Sequence, residues 1–154
     1  LLSGSGGYGF LASIEHMTSR QRAGKAFMSC NPGETICMPS RVSAADTPGQ
    51  QLPEATHVAC VSSDGRLLTY AISELRTMPN GGRGLMLMSL EDKASLVGAA
   101  AYARSIRVSG IGRGSKPREE TLEIRSLNNA AGVRGRKGKE AGWTFRLQRI
   151  EKVQ

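Results

Sequence analysis

The sequence predicts an all-β fold, a propeller-like array of small sheets, and three observations carry that expectation. Apolar and β-branched runs of strand length recur along the chain, with Gly- and Pro-containing turn signals between them. No segment keeps an apolar helical period over three turns. A repeat is also present: a shift of 58 residues, without a gap, aligns Ser5 with Ser63, Gly7 with Gly65, Ile14 with Ile72, Gly24 with Gly82 and Met28 with Met86. An all-β unit of that size cannot bury both faces of its own sheet, so neighbouring units must stack.

The elements follow in order. Residues 8–14 carry Tyr8, Phe10, Leu11 and Ile14, and residues 26–30 carry Phe27, Met28 and Cys30. The turn Asn31-Pro32-Gly33 separates these from 35–38. Residues 57–61 and 67–72 flank Ser63-Asp64-Gly65, and 85–89 follow Pro79-Asn80-Gly81-Gly82. Residues 105–108 precede Ser109-Gly110, and 143–147 form the last run. In 121–125 the alternation predicts Leu122 and Ile124 inward, with Thr121, Glu123 and Arg125 outward. Residues 41–55, with two prolines and the turn Asp46-Thr47-Pro48-Gly49, read as a surface loop or insertion between units.

The repeat frame extends through conservative pairs, Phe10 with Leu68, Met17 with Leu75, Lys25 with Arg83 and Phe27 with Leu85. A weaker third copy begins at Thr121, where Ile124 and Leu127 keep the spacing of Ile72 and Leu75. The expected units are 1–38, 56–102 and 103–154 of a single domain. Each unit reads as strand, Gly-containing turn, strand, Ile-x-x-(Met/Leu) corner, Gly and basic loop, and strand.

Charge is divided unevenly along this frame. The net charge is +8, yet residues 1–103 hold eight basic and eight acidic side chains, whereas 104–154 hold thirteen and five. A uniformly solubilising surface has no reason to divide this way, so the asymmetry points to a polyanion-binding face. The longest apolar run, residues 96–103, is far shorter than the ~20 residues of a membrane helix. The start, Leu1-Leu2, lacks an initiator Met and a basic leader and reads as excised from something longer. Cys30, Cys37 and Cys60 form no Cys-x-x-Cys pair, and with His57 they lack the tight spacing of zinc ligands. Buried free thiols in a reducing, cytoplasmic setting are the expectation.

The loops carry the main chemical clue. They read Arg20-Gln21-Arg22-Ala23-Gly24-Lys25, then Asn80-Gly81-Gly82-Arg83-Gly84, then Gly132-Val133-Arg134-Gly135-Arg136-Lys137-Gly138-Lys139. Glycine lets backbone N–H groups approach a phosphate, and Arg and Lys neutralise it. A loop of this kind recurring in each unit suits sequence-independent contact with a phosphate backbone. Arg20, Arg22, Lys25, Arg83, Arg134, Arg136, Lys137 and Lys139 are the candidate contacts, with Arg146 and Arg149 weaker ones, because strand alternation turns one of them inward. Catalytic readings have little support. Gly4-Ser5-Gly6-Gly7-Tyr8-Gly9 fits a dinucleotide fingerprint, but no helical period follows and no acidic residue stands ~20 positions on. His16 and His57 have no partner Ser or Cys in a recognisable arrangement.

The run Gly6-Gly7-Tyr8-Gly9-Phe10, then Arg22-Ala23-Gly24-Lys25-Ala26, Ser63-Asp64-Gly65-Arg66-Leu67, Arg134-Gly135-Arg136-Lys137-Gly138 and Leu147-Gln148-Arg149-Ile150 resembles the gyrase A and topoisomerase IV A C-terminal domain family, on the topoisomerase IV side. The resemblance spans essentially the whole chain. It implies a β-pinwheel of four-stranded blades with strands exchanged between neighbours and DNA bent along a basic outer rim. At 58 residues per blade the chain holds about three blades of a ring of roughly five or six. The Gln-Arg-Arg-Gly-Gly-Lys-Gly box of the gyrase family, needed for tight wrapping, is reduced here to Gln21-Arg22-Ala23-Gly24-Lys25-Ala26. The family's nucleophile is a tyrosine preceded by Arg, whereas Tyr8, Tyr70 and Tyr102 follow Gly7, Thr69 and Ala101.

The resemblance therefore implies a non-catalytic, DNA-binding and DNA-bending domain of an ATP-hydrolysing type II topoisomerase. This domain holds duplex DNA for strand passage, decatenation and supercoil relaxation in bacterial chromosome segregation. The implied partners are double-stranded DNA, the catalytic core of the same polypeptide and the B protein of topoisomerase IV, in an A2B2 assembly. No cofactor is expected in this piece, because magnesium and ATP act through the B protein. The alternatives are the wrapping domain of gyrase A and a propeller-like protein-interaction module with an acidic partner.

Overall fold

A computed structural model describes residues 1–43 and 54–153. The polar stretch expected as a loop at 41–55 falls mostly outside the described residues. Three small antiparallel sheets stack in chain order. The first has the order β1 (Leu2–Ser3), β2 (Tyr8–Phe10), β5 (Leu85–Met86). The second has the order β6 (Leu96–Tyr102), β3 (His57–Ser62), β4 (Arg66–Ala71), β9 (Lys139–Glu140). The third has the order β10 (Arg146–Val153), β7 (Ser105–Ile111), β8 (Pro117–Glu123).

The order of strands shows exchange between repeats. β5 belongs to the second repeat but completes the first sheet, pairing Met86 with Tyr8 and Leu85 with Gly9. β9 belongs to the third but completes the second sheet, pairing Glu140 with Arg66 and Lys139 with Leu67. Among the described residues, the corresponding edge of β8 has no added strand. Strands in small blades with exchanged edges are the propeller-like architecture that the repeat predicted and the β-pinwheel that the resemblance implied.

The core lies on both faces of the middle sheet. Val58, Cys60, Leu68, Tyr70, Ala99 and Ala101 face the first sheet and pack with Leu1, Leu87 and Met88. Ala59, Val61, Leu67, Ala100 and Tyr102 face the third sheet and pack with Ile106, Val108, Leu127, Leu147 and Ile150. Burial of each large aliphatic side chain here contributes about 1.5–3 kcal/mol. Small residues in β6 let the third sheet approach closely, since a Cβ at Gly98 would come within 2.8 Å of Ile150 Cγ2.

Several local expectations are corrected. β6 is not among the expected strands, because a strand buried on both faces is apolar throughout and lacks the alternation that marks a half-buried one. The strand expected over 8–14 ends at Phe10, and Ile14 opens the short helix α1 (Ile14–Met17) with 82% of its surface exposed. The same corner recurs as a 3-10 turn at Ile72–Glu74 and as α2 (Ile124–Asn128). Ile124 is accordingly not an inward strand residue. The chain turns after Glu123, and helical spacing hands the core position to Leu127, fully buried, leaving Ile124 40% exposed. The runs 26–30 and 35–38 contribute only the bridges Met28 to Gly82 and Ile36 to Gly4. The last strand starts at Arg146, not at residue 143, because the Ala141 N–H is tied to the Gly65 carbonyl at 3.1 Å. Trp143 and Phe145 still pack on the core from this connecting segment.

Candidate functional site

In the second and third repeats the corner after the second strand starts a loop that crosses to the preceding repeat. Leu11 N–H donates to the Arg76 carbonyl and Met78 N–H to the Leu11 carbonyl, both at 2.9 Å. Gly82 N–H donates to the Phe27 carbonyl and Ser29 N–H to the Gly82 carbonyl, also at 2.9 Å. The next joint repeats this design. Thr69 N–H donates to Ala130 (3.0 Å), Gly132 N–H to Thr69 (2.9 Å), Gly135 N–H to Leu87 (3.0 Å) and Ser89 N–H to Arg136 (3.1 Å). Every one of these donors and acceptors is a backbone group, so the joints need particular backbone shapes more than particular side chains. Gly81 is a case in point: its φ is +70°, and a Cβ there would overlap the Phe27 carbonyl oxygen. The consequence is that the segment after the first loop is bonded to the second loop and the segment after the second to the third, so the three Gly and basic loops follow one another in chain order.

The candidate cations divide by what they touch. Arg20, Arg22 and Lys25 are exposed on the first loop, and Arg136 is exposed on the third; among the described residues none of the four has an ion-pair partner. Arg83 is different. Its guanidinium lies 4.0 Å over the Tyr8 ring, its Nη2 is 3.3 Å from Glu34 Oε1, and its Nε is buried. Arg134 is also turned inward, donating from Nε to the Glu74 carbonyl at 3.1 Å and from Nη1 to the Met86 carbonyl at 2.7 Å. Its backbone N–H donates to Glu74 Oε2 at 2.9 Å. Both arginines thus tie one repeat to another. Lys137 pairs with Glu91, and Lys139 Nζ donates to the Asn129 carbonyl at 2.8 Å, yet both remain exposed.

Arg146 and Arg149 lie on the third sheet, apart from the loops. Arg149 pairs with Glu151 at 2.9 Å, and Arg107 reaches the same carboxylate at 3.7 Å. Arg146 is exposed. Spacing did not single out Arg76 and Arg125, exposed cations at two of the helical corners. A signal for the ion pairs of Arg83 and Lys137 was present: Glu34 and Glu91 sit one residue off the 58-residue frame, as a repeated acidic partner.

The titratable groups of the core are kept neutral. Burial pushes the Cys60 thiol up to about 12, with the Tyr70 hydroxyl 3.5 Å away, and burial likewise pushes Tyr70 far above the usual phenol range. Burial also raises Cys37 and Tyr102, opposed by hydrogen bonding with Ser3 and with Thr69 respectively. Among the described residues no group of three or more His, Cys, Asp or Glu side chains is arranged to hold a metal ion. Among those residues no helix is long and apolar enough to cross a membrane, which leaves β-barrels unaddressed.

Comparison with known proteins agrees with this geometry. Residues 56–102 match the family model described as DNA gyrase C-terminal domain, beta-propeller. The chain is 32% identical over 137 residues to the A subunit of DNA topoisomerase 4 from Neisseria gonorrhoeae, covering 88% of this chain and 17% of that protein. It is 24% identical over 157 aligned positions to the A subunit of DNA topoisomerase 4 from Pseudomonas aeruginosa PAO1, covering 99% of this chain and 19% of that one. The chain therefore spans less than a fifth of the length of these relatives. The fold is similar to that of the E. coli ParC C-terminal domain, with a TM-score of 0.76 at 21% identity, covering 97% of this chain and 58% of the other.

Proposed function

The chain belongs to the C-terminal domain family of gyrase A and topoisomerase IV A, and from that premise we propose that it binds duplex DNA along the stacked loops, without sequence preference. One observation carries the reading: the loops follow one another in chain order, each bonded to the segment after the one before it, and leave Arg20, Arg22, Lys25 and Arg136 exposed and unpaired among the described residues. Exposed guanidinium and ammonium groups on glycine-rich backbone neutralise phosphates and release counterions, which drives binding without reading bases. Lys137 and Lys139 add to the field from the third loop. Arg83 and Arg134 serve the surface indirectly, by tying their loops to the neighbouring repeat. Arg146 and Arg149 stand apart from this track.

In the parent enzyme this surface captures and bends one DNA segment for a type II topoisomerase core, serving strand passage, decatenation and relaxation in chromosome segregation. The core of the same polypeptide and the B protein of topoisomerase IV are the proposed partners, two copies of each, in the bacterial cytoplasm. No step of this reading runs through a metal or nucleotide held by this chain.

Salt dependence tests the proposal. Contacts to six phosphates give a log–log slope of affinity against salt near about −5 on duplex DNA. The combined change Arg20→Ala, Arg22→Ala, Lys25→Ala and Arg136→Ala is expected to flatten that slope by about 3–4 units, read by fluorescence anisotropy across a salt series. A slope near zero for the unsubstituted chain, or binding of an acidic polypeptide in preference to DNA, overturns the reading in favour of a protein-interaction module.

A further inference from the structure

The third sheet ends in a hairpin tip that the loops do not include. β7 and β8 are joined by Gly112-Arg113-Gly114-Ser115-Lys116, where Gly114 and Ser115 both take left-handed backbone, with φ of 69° and 58°. The Gly112 N–H donates to the Lys116 carbonyl at 2.8 Å and closes the turn. At the base of the tip, Ile111 stands between Arg146 on β10 and Pro117 on β8, so those residues lie within two strand spacings, about 10 Å. Arg118 is opposite Gly110, and a Cβ at Gly112 would come within 2.8 Å of Arg118 Cγ, which lays that side chain along the turn. Arg113, Lys116, Arg118 and Arg146 are all exposed, and none has an ion-pair partner among the described residues.

The equivalent turns of the other two sheets are unlike this one. Ser5-Gly6-Gly7 carries no charge. Ser63-Asp64-Gly65 is acidic and compensated, with Arg66 3.5 Å from Asp64 and 3.4 Å from Glu140. Of the three turns, the third alone gathers four uncompensated cations. Further along β8, Glu119, Glu120 and Glu123 are exposed, so the open edge of the same sheet repels a polyanion and confines it to the tip. Four like charges this close destabilise the folded chain unless an anion shares them.

We propose that the Arg113, Lys116, Arg118 and Arg146 tip is a second phosphate-backbone site, one that takes a further stretch of duplex DNA independently of the loop track. It rests on the same counterion-release chemistry as the loop reading but on none of its residues. The glutamates of β8 set its boundary, so the contact is short, about two to three phosphates, and weaker than the loop track.

The test uses the full chain and a 12-base-pair duplex at low salt, with the loop quadruple variant described above, extended by Lys137→Ala and Lys139→Ala, as background. That background is expected to keep residual binding with a salt slope of about −2 to −3. Adding Arg113→Ala, Lys116→Ala and Arg146→Ala is expected to remove it, while melting temperature, read by circular dichroism, stays within a few degrees because all three side chains are exposed. Amide NMR shifts of Gly114 and Ser115 on adding duplex give an independent readout. The proposal is overturned if the loop variant has no residual binding, if the tip changes leave residual binding and its slope unaltered, or if polyglutamate of equal charge displaces the duplex from the tip as well as DNA does. A loop variant that binds duplex with the unsubstituted salt slope, while the tip changes still lower that slope, would instead count against the loop reading alone.

Discussion

A cation's residue type says less about its use than the atoms beside it. Arg22 and Arg134 sit in similar Gly-containing basic loops, yet Arg22 is exposed while Arg134 donates to two carbonyls of another repeat. Spacing made both legible as candidates; the Met86 and Glu74 carbonyls that engage Arg134 lie 48 and 60 residues away and left no local mark. Cys60 shows the same limit for titration. Its apolar neighbours in sequence predicted burial, but the height of its pKa depends on the first sheet packed over it. Because its folded pKa, about 12, is above the ordinary thiol value of 9.0, its contribution to stability is whole below pH 9 and is lost as pH rises from 9 to 12. Urea unfolding in that window is expected to show stability falling by up to about 1.4 kcal/mol per pH unit from this thiol, a slope that Cys60→Ala removes. At pH 8 a thiol reagent is expected to modify Cys30 and leave Cys60 unreacted until the chain unfolds.

At the scale of elements, edges and corners account for most differences between the pattern and the structure. β3 and β4 were legible because apolar runs flank a Gly turn, and both form within one residue of the expected bounds. β8 was mostly missed, since Pro117 to Thr121 sit on an exposed edge where no apolar pattern is demanded. The two-residue strands β5 and β9 are set by their partners and not by their own propensity. Thr69 marks how the corners are held: its Oγ1 donates to the Leu127 carbonyl at 3.0 Å in a buried position, joining β4 to α2 of the next repeat. Thr69→Val is expected to cost about 0.5–1.5 kcal/mol by removing that hydrogen bond, the Leu127 carbonyl keeping the Ala130 N–H, whereas Thr69→Ser keeps the donor and loses less, both read by denaturant melts.

Strand exchange joins the three repeats, and they are expected to unfold as one cooperative body. Each of the first two sheets is closed by a later repeat, so neither of those repeats completes its sheet from local sequence alone. Gly81→Ala tests this. Its Cβ meets the Phe27 carbonyl at the first joint and its φ of +70° is strained for alanine, so a loss of about 1–3 kcal/mol is expected in a single transition. Two separate transitions, with only the first repeat destabilised, would show that the repeats melt independently. The sequence by itself determined the all-β class, the repeat, the corner positions and the surplus of charge in the last third, because these rest on local periodicity and composition. Tertiary structure decided which strand closes which sheet, that β6 is buried on both faces, and that Arg83 and Arg134 turn inward while Arg20, Arg22, Lys25 and Arg136 face outward. The reason is physical: backbone pairing and charge compensation depend on neighbours tens of residues away, and a one-dimensional pattern records spacing but not which groups meet.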